Sequence, residues 1–281
     1  MFAGFLFADR AKIAAALQPY DLVLVLGAPV FTYHVEGTGP IVPSGTTLIQ
    51  LVDDPAMAAW SPLGMSVVTS LKAGVADLLA GAAPGRRAAP APIPRRPRLD
   101  ATKLSDAYLL QQIARLRPAG SVIVEEAPSS RPPMHDHLPI IEADTFYTCA
   151  SGGLGYGLPA AVGVAMGRPS AKVIAVLGDG SSMYAIQGLW SAAQRNLPIT
   201  FVIIRNGGYD ALTEFGAHFA MDELPGVALP GLDFCGLARS QGVSALRVTR
   251  TDELDSALLA AFTSRSPMLV EVVVVGAANK H

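Results

Sequence analysis

Four stretches of the chain, "SVIVEE", "KVIAVLG", "ITFVIIRN" and "PMLVEVVVV", each carry three or more apolar residues in an unbroken run rather than at every second position. Unbroken apolarity over the length of a strand means that neither side of it meets water. That is the condition inside a parallel sheet covered by helices on both faces. From about residue 100 to 275 such strands alternate with helical patterns, among them "KLSDAYLLQQIARLR", "SGGLGYGLPAAVGVAM", "LDFCGLARSQ" and "DELDSALLAAFTS", with one shorter strand, "SALRV". The fold class is therefore α/β, a doubly wound parallel sheet.

The beginning of the chain carries a smaller version of the same pattern. A helix, "ADRAKIAAALQPY", is followed by strands "DLVLVLG" and "TTLIQLVDD" and a helix, "SLKAGVADLLAG". Two or three strands in some 80 residues are thin for a doubly wound domain, which usually needs ~100 residues or more. Residues 1–81 are expected to be a partial α/β unit that starts in mid-domain. Residues 82–99, "AAPGRRAAPAPIPRRPRL", hold five prolines and five arginines and no apolar period. They read as a stiff, solvated linker, leaving 100–281 as the larger domain.

Composition narrows the function classes. With 51% hydrophobic residues, 16% charged residues and a formal net charge of −2, the chain lacks the basic surface that nucleic acid or an anionic membrane requires. No run approaches the ~18 apolar residues of a membrane span, and "MFAGFLFADRAK" lacks the basic start and cleavage site of a signal peptide. Cys149 and Cys235 have neither disulfide-framework nor metal-site spacing, which fits a reducing, cytoplasmic setting. His135 and His137 in "MHDHL" are read as solvated, because no third or fourth metal ligand accompanies them.

The chemistry is concentrated in "GDGSSMYAIQGLWSAAQRNLPITFVIIRNGGY", residues 178–209. A seven-residue strand is ~23 Å long at ~3.3 Å per residue. One helix over "SSMYAIQGLWSAAQR" returns ~21 Å at ~1.5 Å per residue. A right-handed crossover of that size brings Asp179 and Asn206 out together at the carboxyl edge of the sheet, where open α/β folds bind ligands. A carboxylate, an amide oxygen and a backbone carbonyl freed by the glycines at 207 and 208 are hard oxygen donors, few in number. Such a set suits Mg²⁺ with waters and phosphate oxygens better than an all-protein Ca²⁺ cage. Ser181 and the free N–H groups at 181–183 add an anion site. Either glycine turn alone would be an ordinary strand-to-helix turn. Both at one edge call for a diphosphate.

"GDGS…IRNGGY" resembles the metal–diphosphate motif of thiamine-diphosphate-dependent enzymes, with Arg205 standing where the first Asn of the usual pair would be. The resemblance implies a thiamine-diphosphate-binding fold preceded by a partial Rossmann-like middle domain. It also implies Mg²⁺ on Asp179, Asn206 and the Gly208 carbonyl, with Gly180, Ser181 and Tyr209 at the diphosphate. Further stretches are similar to the benzoylformate decarboxylase branch. "CASGGLGYGLPAAVGV" resembles its aminopyrimidine loop, which implies a Gly152 carbonyl acceptor and Leu154 wedged under a V-shaped cofactor. "YDALTEF" and "LPGVALPG" imply an aryl pocket of Ala211, Leu212, Phe215 and Val227. "LVLGAPVFTYHVEG" implies His34 as a proton-transfer residue. In "VEEAPSSRPP", Ser129 matches a diphosphate-binding hydroxyl while Pro128 replaces a threonine-like donor.

The resemblance covers nearly the whole chain but only the later part of such an enzyme. The pyrimidine-binding domain, and the glutamate that activates the cofactor, are not matched by any stretch. The reading that follows is a thiamine-diphosphate-dependent decarboxylase of an aryl 2-oxo acid, inactive unless that domain is supplied elsewhere, and a homo-oligomer when intact. An acetolactate-synthase-like carboligase, another thiamine-diphosphate decarboxylase, and a non-catalytic diphosphate-binding or subunit-association module remain alternatives.

Overall fold

A computed structural model describes Leu6, residues 8–33, 37–82, Gly85, 97–221 and 224–275. The chain divides into two compact units, Met1–Pro94 and Arg95–His281. Most of the Pro/Arg-rich stretch, and His34, lie outside the described residues.

The first unit is a three-stranded parallel sheet in the order β1 (Leu22–Leu26), β2 (Thr47–Val52), β3 (Met65–Val68). Its helices are α1 (Arg10–Leu17), α2 (Pro55–Ala59) and α3 (Leu71–Ala80). Each helix starts where a short polar side chain accepts from its first turn: Asp9 from Lys12 N, Asp54 from Ala56 N, Ser70 from Ala73 N. Val25, Val30 and Leu48 form its core. The buried Gln50 amide donates to the Ala28 carbonyl and accepts from Ser66, so it is satisfied. Two elements, β3 and α2, extend the sequence reading of this unit.

The second unit runs α4 (Asp106–Leu116), β4 (Val122–Glu126), α5 (Arg131–His137), β5 (Phe146–Thr148), α6 (Gly157–Gly167) and β6 (Val173–Gly178). It continues with α7 (Asp179–Met183), α8 (Gly188–Gln194), β7 (Ile199–Arg205) and α9 (Asp210–His218). It closes with α10 (Phe234–Ser240), β8 (Ser244–Val248), α11 (Thr251–Thr263) and β9 (Met268–Val273). All strands are parallel, in the order β5-β4-β6-β7-β9-β8. Alternate residues divide between two buried layers. Ile123, Ile174, Val202 and Val270 pack with Leu109, Ile113 and Leu258 on one face; Val124, Ala175, Phe201 and Leu269 pack with Leu158, Leu189 and Phe234 on the other. Burial on both faces is why these strands read as continuous apolar runs. Phe201→Ala is expected to cost ~3–5 kcal/mol, read as a lowered urea midpoint at unchanged slope.

One expected helix is two. The chain leaves β6 in the single turn of α7 and passes through i→i+3 hydrogen bonds, Tyr184 N to Ser181 O and Ala185 N to Ser182 O, before α8 begins. A Cβ on Gly188 would lie 2.4 Å from Leu158 Cδ2, so α8 packs closely on the start of α6 and a larger residue there would have to displace that leucine side chain. The crossover still returns the chain to a neighbouring parallel strand, with Gly178 registered against Ile204.

Candidate active site

The sheet order places a reversal beside β4. From β4 the chain moves outward to β5, then returns past it to β6, and such a reversal opens a crevice at the carboxyl ends of the strands. Register aligns those ends: Thr148 with Glu125, Glu126 with Leu177, and Gly178 with Ile204. The four loops that carry the predicted cofactor residues, 127–130, 149–156, 179–183 and 206–209, therefore leave one edge of the sheet side by side.

Asp179 ties two of them together. Its side chain is 3% exposed; Oδ1 accepts from Gly180 N and Oδ2 from Gly207 N, both at 2.8 Å. The carboxylate of one loop thus grips the residue next to Asn206 in the other. Asn206 Oδ1 accepts from Gly208 N at 3.2 Å, folding its own side chain over the turn. Burial pushes the Asp179 carboxyl above the ordinary carboxylate range and nearby Asp210 adds to this; the two backbone N–H groups and Arg205 pull the other way.

The glycines here are steric requirements. A Cβ on Gly180 would lie 2.3 Å from the Tyr209 ring, and one on Gly208 would lie 2.8 Å from the Val227 carbonyl oxygen. Tyr209 N donates to that carbonyl at 2.8 Å and Leu229 N to Gly207 O at 2.8 Å, so a short antiparallel bridge fixes the 206–209 turn. Burial, then Tyr184, raises the Tyr209 phenol, which stays protonated and able to donate. Ser181 is buried at the same edge. The helix expected to open at residue 181 opens at Asp179 and lasts five residues, so the expected anion site would rest on one turn rather than on the end of a long helix.

Ser129 follows β4 in a 3₁₀ turn begun by Pro128. Its Oγ accepts from Ala211 N at 3.1 Å, which leaves its own proton available for an anion. Gly152 has φ +74°, Gly155 has φ +96°, and Leu154 between them is half-buried. Ala211, Leu212 and Phe215 are exposed on α9, with Phe215 edge-on to Phe219 at 5.0 Å; Val227 is half-buried in the bridge.

Three features escaped the sequence reading. Glu126 is 2% exposed and accepts from Gly155 N and Gly157 N. A pair of acidic residues closing an apolar strand was the available signal. Glu271, fully buried on β9, accepts from Arg205 Nη1 at 2.6 Å and Arg247 Nε at 2.9 Å. Asp233, Cys235 and Glu271 approach one another closely enough to resemble a metal cluster, but guanidinium groups occupy both carboxylates. His135 and His137 are half-buried rather than solvated: His135 faces Phe146, and His137 Nδ1 meets Gln111 Nε2 at 3.4 Å.

The described residues thus bring Asp179, Asn206, Ser129, Ser181 and Tyr209 to one edge of the sheet. A family profile, "Thiamine pyrophosphate enzyme, C-terminal TPP binding domain", matches residues 130–272. The chain belongs to the thiamine pyrophosphate enzyme family. Among curated proteins it is similar to benzoylformate decarboxylase of Pseudomonas aeruginosa, 39% identical over 273 residues, covering 96% of this chain and 52% of the relative. A solved 4-hydroxybenzoylformate decarboxylase of Rhodococcus jostii RHA1 superposes with TM-score 0.93 at 34% identity, over 98% of this chain and 53% of that one. The acetolactate synthase isozyme 2 large subunit of Escherichia coli is 29% identical over 166 residues, 58% of this chain and 30% of the relative. The chain spans about half the length of its benzoylformate decarboxylase relatives. Among the described residues of this thiamine pyrophosphate family member, no helix is long and apolar enough to cross a membrane.

Proposed function

We propose that the chain is the diphosphate-binding part of a thiamine-diphosphate-dependent, non-oxidative decarboxylase of an aryl 2-oxo acid, converting benzoylformate to benzaldehyde and carbon dioxide. The observation that carries the reading is the Asp179 carboxylate bound across to Gly207, which joins the two halves of the motif. The residues present fit the group. A buried carboxylate, the Asn206 amide and the Gly208 carbonyl offer Mg²⁺ hard oxygens, and the remaining lone pairs of Asp179 are free for a cation. When bound, thiamine diphosphate supplies the carbon nucleophile and electron sink that decarboxylation needs.

The chain's own residues do the rest. Asp179, Asn206 and Gly208 would hold the metal, and Ser129, Gly180, Ser181 and Tyr209 would receive the diphosphate, with Ser129 and Tyr209 as hydroxyl donors. Gly152 would offer its carbonyl to the aminopyrimidine part of the group, and Leu154 would offer it an apolar side chain. His34 moves a proton at the substrate carbon. Leu212, Phe215, Ala211 and Val227 present apolar surface to an aryl group, and a second polypeptide surface completes the enclosure.

Two measurements test this. Calorimetry of the chain with thiamine diphosphate is expected to show binding that requires Mg²⁺. With a pyrimidine-binding domain supplied in trans, benzoylformate is expected to yield benzaldehyde faster than pyruvate yields acetaldehyde or acetolactate. Acetolactate as the main product would favour the carboligase reading, to which the similarity to acetolactate synthase points. Binding without turnover in that assembly would favour a non-catalytic module.

A further inference from the structure

Glu126 sits at the end of β4 with both carboxylate oxygens committed to another loop. Oε1 accepts from Gly155 N and Oε2 from Gly157 N, each at 2.5 Å, and the side chain is 2% exposed. The partners are 29 and 31 residues away in sequence, so the contact is not local turn chemistry. The Gly155 N–H belongs to the Leu154–Gly155 peptide group; holding it fixes the plane through which Leu154 is attached. The Gly157 N–H belongs to the first residue of α6, whose preceding residue, Tyr156, supplies no side-chain cap. One carboxylate thus caps α6 and pins the turn before it.

The surroundings leave that turn a single seat. A Cβ on Gly157 would lie 2.7 Å from both Glu126 Cβ and Leu177 Cδ2, and one on Gly155 would lie 3.1 Å from Tyr184 Cβ. The backbone of 155–157 is pressed between β4, β6 and the residue following α7. An anionic acceptor there makes two charge-assisted bonds out of reach of water. Asp179 does the same for the 180 and 207 loops. Two buried carboxylates at the carboxyl ends of neighbouring strands thus hold the loops of this edge: Asp179 joins two loops, and Glu126 fixes one loop to the end of β4.

We infer that Glu126 is a positioning residue for the ring end of the cofactor site: by anchoring Gly155 and Gly157 it sets Gly152 and Leu154 against the ligand without touching it. The inference rests on the thiamine diphosphate reading above. It separates the site into two parts with different anchors, the diphosphate end held by Asp179 and the ring end held by Glu126.

The test compares thiamine diphosphate with inorganic pyrophosphate, each with Mg²⁺, by calorimetry on the wild-type chain and on Glu126→Gln. Glutamine keeps the length of the side chain but presents one oxygen and one NH₂ group, setting a donor against a donor. The variant is expected to lose about tenfold or more in affinity for thiamine diphosphate, the scale of one charge-assisted hydrogen bond. Its affinity for pyrophosphate, which does not reach residues 152–154, is expected to stay within about twofold. Hydrogen exchange at Gly155 and Gly157 is expected to quicken while that of β6 and β7 does not.

Equal loss for both ligands, or no loss for either, overturns the proposal. Should Glu126→Gln not fold by circular dichroism, Glu126→Asp, which keeps the charge on an arm too short to reach both N–H groups, is held to the same criterion. A wild-type chain that fails to bind thiamine diphosphate overturns the cofactor reading and this proposal with it. Wild-type binding with an unselective variant overturns this proposal alone.

Discussion

Asp179→Ala is expected to abolish Mg²⁺-dependent binding of thiamine diphosphate, with an affinity loss of at least about 100-fold. Opposite unit charges at ~4 Å near a protein surface attract by ~4 kcal/mol, and here the cation is divalent. Part of the loss is structural, because the substitution strips Gly180 N and Gly207 N of their acceptor at the one point where the two loops are joined. Asp179→Asn separates these contributions. It keeps the shape and one acceptor oxygen, removes the charge and sets an NH₂ group against only one of the two backbone N–H groups, so the fold should survive by circular dichroism while metal dependence disappears. Unchanged affinity in both variants would sink the metal assignment.

The raised Asp179 carboxyl gives the same site a pH signature. With its folded-state value above the unfolded one, its contribution to stability without metal is full below the ordinary carboxylate range. That contribution is lost as pH rises through the raised value. Metal binding runs in the opposite direction, since only the ionised form is a ligand. Affinity for Mg²⁺ with thiamine diphosphate is therefore expected to fall on acidification, beginning at a higher pH than an ordinary carboxylate would give. Titrations across a pH series check this, and a flat profile would count against Asp179 as ligand.

The parts of this molecule that were legible in the sequence depend on short-range regularity. β4, β6, β7 and β9 announce themselves because each is apolar on both faces. The meeting of Asp179 with the 206–209 turn followed from the lengths of one strand and one return path. β5 was not readable, because three residues, "FYT", are too few to show a period. α5 hides behind two prolines in "RPPMHDH", which occupy its first turn, where a missing N–H costs nothing. The break between α7 and α8 leaves no mark in the sequence that its periodicity shows, since the residues between them are joined by i→i+3 hydrogen bonds rather than interrupted by proline. Glu126 and Glu271 were likewise invisible as anchors. Their sequence neighbours say only that they end or interrupt an apolar strand; what they hold is set by the strand order.

Glu271 carries the second large expected effect, this one on stability. It is fully buried on β9, between β7 and β8, and its two oxygens meet Arg205 on one side and Arg247 on the other. Arg247 continues to Asp233 at 2.5 Å, so a chain of alternating charges crosses three strands and ends one residue before Asn206. Glu271→Ala leaves Arg205, whose side chain is 24% exposed, without its counter-charge beside a dry core. Arg247, at 41% exposure, can turn to water and keeps Asp233. The loss is therefore expected toward the lower end of the ~3–5 kcal/mol that breaking a buried pair costs. It is measured as a fall in the urea midpoint at constant slope. Replacing both partners, Arg205→Met with Glu271→Leu, should recover most of that loss, because an apolar pair of similar volume carries no stranded charge. A double variant no better than Glu271→Ala would mean that the network contributes through something other than charge compensation.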